Sequence, residues 1–271
     1  MIRRLMEMTR EDVRDTARSA IAVLPIGSAE QHGPHLPLGT DTFLVEAVLA
    51  TAAQLPEVSE LPLVVTPTVP IGYSAHHLFA AAVSLRPETL LCVLRDIGDS
   101  LVASGFRRLF ILNGHGGNDE CIQLAVKDLV LRHEPVAAAA CSYWAIGSLD
   151  NQLRHELTPG HAGWFETSLM LASHADLVRG DRLPTDSEIP GPLFARRDIS
   201  GLRVQLAGEW ARVGGVTDPP GDANESDGRV LLQERGAQLA AALSFFAAQT
   251  ENVANRPQDT RRGGERPDTK K

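Results

Sequence analysis

Two short segments of this chain carry carboxylate and histidine side chains at spacings that could hold metal ions. Glu30 and His32 are two residues apart, so in an extended segment their side chains point to the same side. Asp41 follows nine residues after His32. His115 lies among the glycines of the segment 113–118, which permit tight turns and leave its imidazole able to reach a ligand position.

The chemistry that this set of residues predicts is metal-assisted hydrolysis. Mixed nitrogen and oxygen donors suit Zn²⁺, Mn²⁺ or Fe²⁺ better than Ca²⁺ or Mg²⁺, which prefer oxygen alone. An aspartate can bridge two ions, and two ions about 3.5–4 Å apart can share a hydroxide and polarise a carbonyl. We therefore expect two divalent metal ions per chain (Zn, Mn or Fe), with ligands from Glu30, His32, Asp41 and His115.

A third segment, 161–168, adds a carboxylate and a proton carrier. Glu166 falls in the first turns of a predicted helix, where a carboxylate is favoured electrostatically, and it could supply the remaining metal ligand. His161 lies on the preceding loop and could act as a proton donor or acceptor. We therefore assign both residues to the candidate catalytic site.

Other interpretations of these segments are weaker. The glycine-rich segment 113–118 could cradle a phosphate at a helix N-terminus, but it lacks the G-x-G-x-x-G spacing and that role leaves His115 unexplained. Each carboxylate taken alone is more often a capping or surface residue. His35 and His77 are evenly balanced between supporting the site and lying beside it, and a surface position is expected for His133, His155 and His174.

The elements that position these residues alternate between strands and helices. Strands are expected at 21–26, 63–65, 108–112 and 136–142. Helices are expected at 43–55 (capped by Thr40 or Asp41), 87–104, 121–133, 164–173 and 228–248. This alternation predicts an α/β fold with a mostly parallel sheet that is covered by helices on both faces. Ligands bind such sheets beyond the carboxyl ends of the strands. The segments that carry Glu30, His32 and His115 begin at those ends.

Composition limits the location and the partners of the protein. The formal net charge of −8 disfavours nucleic-acid binding, which needs clustered Lys and Arg. No apolar stretch is long enough to cross a bilayer, and no signal-peptide core follows Met1, so we expect a cytoplasmic protein without a membrane partner. We expect one domain over 1–250, with loops and one strand near 202–204 in its later part, and a disordered tail over 251–271.

At these residues the chain resembles the creatininase family of amidohydrolases. The segments 27–42, 113–118 and 161–170 match the three motifs of that family, and the resemblance spans roughly residues 24–183. It implies a mostly parallel α/β fold, a dinuclear metal site and usually a homohexamer. By the same resemblance, Glu30 and His115 hold one metal ion, His32 and a further carboxylate hold the other, and Asp41 bridges them.

The chain departs from creatininase itself at two places. Creatininase has a glutamate ligand in the second motif where this chain has Gly117, so Glu166 of the third motif is the expected fifth ligand. The family often has Phe-Pro-Gly-Thr before Ser-Leu, and this chain has Phe79-Ala-Ala-Ala-Val before Ser84. That loop is expected near the substrate. The candidate substrate-binding residues are His77, Ser84, Trp144 and Trp164.

The resemblance implies hydrolysis of a C–N amide bond in a small-molecule substrate. A small cyclic amide such as creatinine is the expected class, with water activated by the metal ions and His161 protonating the leaving nitrogen. Three alternatives remain open. The chain could be a peptidase that trims a precursor peptide, as in the mycofactocin system, a non-catalytic oligomeric ligand-binding member, or a hydrolase of sugar or inositol rings.

Overall fold

The computed structural model describes residues 2–147, 159–185, 189–191 and 204–255. The strands are β1 (Ile2–Arg4), β2 (Ile21–Ile26), β3 (Ala29–Glu30), β4 (Leu63–Val65), β5 (Ala82–Val83), β6 (Arg108–Asn113) and β7 (Ala137–Ser142). The helices are α1 (Arg10–Thr16), α2 (Thr40–Ala52), α3 (Pro56–Ser59), α4 (Pro87–Ala103), α5 (Asp119–Arg132), α6 (Trp164–Ser173), α7 (Glu209–Arg212), α8 (Glu225–Gln249) and α9 (Glu251–Asn255).

The main sheet has five strands in the order β1-β4-β2-β6-β7, and every neighbouring pair is parallel. The strands β2 and β6 pair along their full length, from Ile21 opposite Arg108 to Ile26 opposite Asn113. Their carboxyl ends therefore lie side by side, and the segments that follow them leave from one edge. The strands β3 and β5 form a separate antiparallel pair, with Glu30 opposite Ala82.

Helices cover both faces of the sheet, as the alternation of elements predicts. Ile21 and Val23 of β2 belong to a core that α2, α6 and α8 complete, while Leu24 and Ile26 face a second core with α4 and α5. Every residue of β2 and β6 is buried, which is typical of central strands in a parallel sheet. The predicted α/β fold with a parallel sheet is confirmed.

Several element boundaries differ from the prediction. The helix α2 begins at Thr40 and not at residue 43, because Gly39 is the capping position and the Thr40 hydroxyl donates to the Pro37 carbonyl. Asp41 therefore lies within the first helical turn. The short helix α7 was not predicted, since four residues show no periodicity. The strand expected near 202–204 lies mostly outside the described residues, and Val204 is irregular.

The first residues of the predicted disordered tail are helical. The Thr250 hydroxyl donates to the carbonyl of Phe246, and the chain continues as α9. Arg18 donates to the carbonyl of Ala254, which ties this helix to the domain. The remaining residues, 256–271, lie outside the described part of the chain. Among the described helices, none is long and apolar enough to cross a membrane.

The contact between α6 and α8 leads to a prediction about stability. A β-carbon at Gly228 would overlap the carbonyl oxygen of Ser168, because the two helices cross closely there. We expect Gly228→Ala to lower the free energy of unfolding by about 2 kcal/mol, since overpacking outweighs the gain in helix propensity. Urea denaturation measures this change.

The matched control is Gly180→Ala, because a β-carbon at residue 180 would meet no atom within 4 Å. Its free energy of unfolding should stay within about 0.5 kcal/mol of the wild type. Equal stability of the Gly228→Ala variant and the wild type would contradict the close crossing.

Candidate metal centre

The first motif turns sharply out of β2 and enters β3. A β-carbon at Gly27 would collide with the backbone of Thr42, so the turn packs directly on the start of α2. This packing brings Glu30 and His32 from the loop next to Asp41 from the helix. All three side chains are buried, with Glu30 and His32 fully inaccessible to solvent.

The second motif is braced by its two asparagines. The Asn113 side chain accepts from the backbone N–H of His115 at 3.1 Å and donates to the carbonyl of His115 at 2.6 Å. Asn118 donates to the carbonyl of Gly27 at 3.0 Å, which joins the second motif to the first. These bonds hold His115 just beyond β6, as the sequence predicts for a ligand position.

The third motif makes an unusual turn before α6. Ala162 has a φ of 54°, in the left-handed region that disfavours side chains, and its N–H donates to Oε2 of Glu166 at 2.6 Å. The Asp218 carboxylate accepts from the N–H of Trp164 at 3.1 Å and so caps α6 from a distant segment. The turn therefore fixes Glu166 at the helix start, facing the cluster.

The candidate ligands converge around Asp41. Its Oδ1 lies 3.1 Å from Nε2 of His32, and its Oδ2 lies 3.2 Å from Nδ1 of His115. Oε1 of Glu30 lies 3.2 Å from the same nitrogen of His115, and Oε2 of Glu166 lies 3.8 Å from Nε2 of His32. Asp41 thus stands between two pairs, each made of one histidine and one glutamate.

Three imidazoles turn one nitrogen outward to a backbone carbonyl. Nε2 of His115 lies 2.9 Å from the carbonyl oxygen of Tyr73, and Nδ1 of His32 lies 3.1 Å from that of Glu30. Nε2 of His161 lies 2.9 Å from the carbonyl oxygen of Gln31. Since carbonyls only accept, these outer nitrogens carry protons. The inner nitrogen of each ring is then the one that can bind a metal ion, which is the usual arrangement at metal sites.

The carboxylates also fit metal ions because their oxygens lack other partners. Within the described residues, both oxygens of Glu30 and Oδ2 of Asp41 are buried without a hydrogen-bond donor. Ligand atoms lie within 4.8 Å of one another in the set Glu30–His32–Asp41 and again in the set His32–His161–Glu166. A buried carboxylate without donors is costly, and a bound cation would remove that cost.

Electrostatics in the cluster is dominated by burial and by the paired charges. Burial lowers the pKa of His32, but the Asp41 carboxylate and its neighbours outweigh it and raise this pKa to about 10. Burial also lowers the pKa of His115, but the carboxylates of Glu30 and Asp41 outweigh this effect and raise the pKa well above its ordinary value. Burial raises the pKa of Glu166 to about 7. The buried negative charges therefore need positive partners, either protons on these histidines or metal ions.

His161 is the neutral base of the cluster. Burial, followed by the charge of His32, lowers its pKa to about 3. Its Nδ1 lies 3.7 Å from Oε1 of Glu30 and faces the centre. The ring is therefore neutral, and Nδ1 without its proton faces the centre.

His77 and Ser84 lie around the candidate ligands. His77 is fully buried; its Nδ1 accepts from the side-chain amide of Gln31 at 2.7 Å, and its Nε2 lies 3.4 Å from Glu30. Ser84 accepts from the N–H of Ser74 and donates to the carbonyl of Leu85. Ser84 therefore braces the loop at Ser74, whereas Nε2 of His77 faces the cluster and has no hydrogen-bond partner among the described residues.

The structure does not bring Trp144 and Trp164 to the cluster. The ring of Trp144 packs edge-on against Tyr143 at 5.1 Å, beside the core under α2, α6 and α8. Trp164 is buried in the same core. It lies two residues before Glu166 in α6, so the two side chains point to different sides of the helix.

Sequence reasoning missed three residues that the fold places at the site. Gln31 links His77 to the segment at Gly215, His76 stacks parallel to His115 at 5.7 Å, and Trp210 contacts three imidazoles. Gln31 lies between two ligands and could have been noticed. Trp210 follows loops rich in proline and glycine, and no local pattern marks it.

The fold and the cluster together define an α/β protein with a candidate metal site beyond its parallel strands. A family model described as creatinine amidohydrolase matches residues 6–243. The chain therefore belongs to the creatininase family.

Two curated relatives differ in the activity that their names give. The chain is 34% identical to the mycofactocin precursor peptide peptidase of Mycobacterium tuberculosis (strain ATCC 25618 / H37Rv), over 78% of this chain and 79% of the relative. It is 32% identical to the creatinine amidohydrolase of Pseudomonas putida, over 64% of this chain and 71% of the relative. The family is common to both, and the substrate is not.

Two solved creatininases match the fold over most of the chain. The manganese form superposes with a TM-score of 0.72 at 27% identity, covering 93% of this chain and 99% of that one. A mutant creatininase of the Zn–Zn type superposes with a TM-score of 0.72 at 27% identity, covering 92% and 98%. Both metals belong to the class that the ligand chemistry predicts.

Removal of the central carboxylate should cost metal binding. We expect Asp41→Asn to reduce the bound metal to below about one ion per chain, because an amide cannot bridge two cations as a carboxylate does. Elemental analysis after dialysis against zinc measures this content. Asp99→Asn, on the exposed pair with Arg132, is the control and should retain the wild-type value.

Glu166 should affect one metal position only. We expect Glu166→Gln to lose about one of the two ions, because its carboxylate lies near His32 and not near His115. The matched control is Glu225→Gln, a glutamate paired with Arg229 at the protein surface. An unchanged metal content in Glu166→Gln would remove this residue from the ligand set.

Proposed function

We propose that this chain is a metal-dependent amidohydrolase that cleaves a C–N amide bond. The observation that carries the proposal is the position of Asp41 between His32 and His115, with Glu30 and Glu166 on either side. Such a set could hold two divalent ions, with Asp41 bridging. When bound, the ions would lower the pKa of a water molecule and polarise the substrate carbonyl.

The chain's own residues would supply the proton transfer. Amide hydrolysis adds a hydroxyl group to the carbonyl carbon and a hydrogen to the departing nitrogen. Nδ1 of His161 faces the cluster without a proton, so it can take one from water and deliver it to that nitrogen. Gln31 holds the ring in this tautomer through its carbonyl oxygen. Nε2 of His77 lies 3.4 Å from Oε1 of Glu30 and faces that carboxylate.

A small cyclic amide is the substrate class that we propose first. The cluster is closely enclosed, since Glu30 and His32 are inaccessible and His161 is only 7% exposed. An enclosed site favours a compact substrate over a long chain. The name of the creatinine amidohydrolase relative supports the same class, and creatinine is therefore the first compound to test.

A precursor peptide is the second candidate substrate. The observation that favours it is the 34% identity to the mycofactocin precursor peptide peptidase over more than three quarters of both chains. Hydrolysis of a peptide bond needs the same cluster and the same proton carrier. A cleavage assay with that peptide beside a creatinine assay separates the two classes.

The proton carrier provides the test of the mechanism. We expect His161→Asn to lower kcat by about 10²–10⁴-fold on whichever amide the wild type cleaves, because asparagine cannot carry the proton. The bound metal should stay at the wild-type content. His133→Asn, whose histidine bonds to Asp99 at the surface, should match the wild-type kcat.

Metal removal completes this experiment. Chelation should abolish turnover by the wild type, and added Zn²⁺ or Mn²⁺ should restore it. Turnover by the metal-free protein would contradict a metal-dependent mechanism. Loss of metal in His161→Asn would instead make His161 a ligand and overturn its role as proton carrier.

A further inference from the structure

Trp210 makes T-shaped ring contacts with two imidazoles at the site. Its ring centroid is 4.7 Å from that of His77 and 5.5 Å from that of His161, at interplanar angles of 66° and 82°. The centroid of His76 is 5.1 Å away. The indole is partly exposed, whereas His77 and His161 are buried. Trp210 therefore stands between the proton carrier and solvent.

The segment that carries Trp210 is bound to the motif that carries His161. The hydroxyl of Thr217 accepts from the N–H of His161 at 2.6 Å, and the N–H of Thr217 donates to the carbonyl of His161 at 3.0 Å. The carbonyl of Gly215 accepts from the side chain of Gln31 at 3.2 Å. These bonds attach the segment 210–217 to His161 and Gln31 at the site.

We propose that Trp210 contacts the substrate directly and determines specificity for amides that form part of a planar ring. This inference rests on the proposed function. A substrate whose nitrogen comes within hydrogen-bonding reach of Nδ1 of His161 (about 2.6–3.2 Å) is bound beside the ring that the indole contacts, since the two ring centroids are 5.5 Å apart. An indole offers a broad apolar face on which a planar ring can stack.

Tryptophan fluorescence tests the contact by itself. The sequence contains three tryptophans, and the other two, Trp144 and Trp164, pack in the core. Zinc-loaded protein is titrated with creatinine and, separately, with the linear peptide Ala-Ala-Ala. We expect a saturable fluorescence change with creatinine in the wild type and in Trp144→Phe, no change with Ala-Ala-Ala, and no change with either compound in Trp210→Phe. A response that persists in Trp210→Phe would overturn the proposal.

Steady-state kinetics gives the second readout. On the amide that the wild type cleaves, Trp210→Ala should raise KM about tenfold with kcat changed less than about threefold, because a stacking contact is lost. Trp210→Phe, which keeps an aromatic face, should raise KM less than about threefold. Both variants should bind the wild-type amount of zinc, which shows that the site is intact.

The outcomes separate this inference from the proposed function. A KM within twofold of the wild type in Trp210→Ala would overturn the contact and leave the amidohydrolase standing. A fluorescence response that depends on Trp210 without any turnover would support the contact and overturn the proposed activity. Neither response nor turnover with any tested amide would overturn both.

Discussion

The burial of three carboxylates at one point is the constraint on which the site depends. Glu30, Asp41 and Glu166 are all buried, and like charges at this range repel strongly in a medium of low dielectric. The chain places His32 and His115 between them, so that Asp41 and Glu30 each have an imidazole nitrogen within 3.2 Å. The same arrangement that neutralises the charges with protons can neutralise them with metal ions.

Polar residues around the ligands determine which atom each ligand presents. The outward nitrogens of the three imidazoles are held by backbone carbonyls, and the loops that provide those carbonyls are joined by Asn118 and Gln31. Asp218 caps α6 from a distant segment and so holds the helix that carries Glu166. Metal sites rely on such outer contacts for orientation as much as on the ligands themselves. This dependence explains why the three motifs need their asparagines, glutamine and glycines as well as their ligands.

The residues that border the cluster come from other segments of the chain than the candidate ligands do. The candidate ligands come from three short motifs of the chain. The loop 76–84, which departs from the expected family pattern, and the segment around Trp210 border the cluster. Gly117 adds to the difference, because a β-carbon there would press on the His115 ring and the carbonyl of Tyr73. We propose that substrate specificity resides in these bordering segments.

The sequence by itself determined the parallel α/β fold and the residues that could bind metal. Hydrophobic runs of strand length and short motifs at strand ends are local signals, and β2, β6 and α6 lie where those signals indicate. The tertiary structure alone decided which aromatic residues face the site. Trp164 is two residues from Glu166 in the chain but is buried in the core, and Trp144 packs against that core, while Trp210 reaches the histidines across a long separation in sequence. Such a contact depends on how distant segments pack, and no local pattern encodes it.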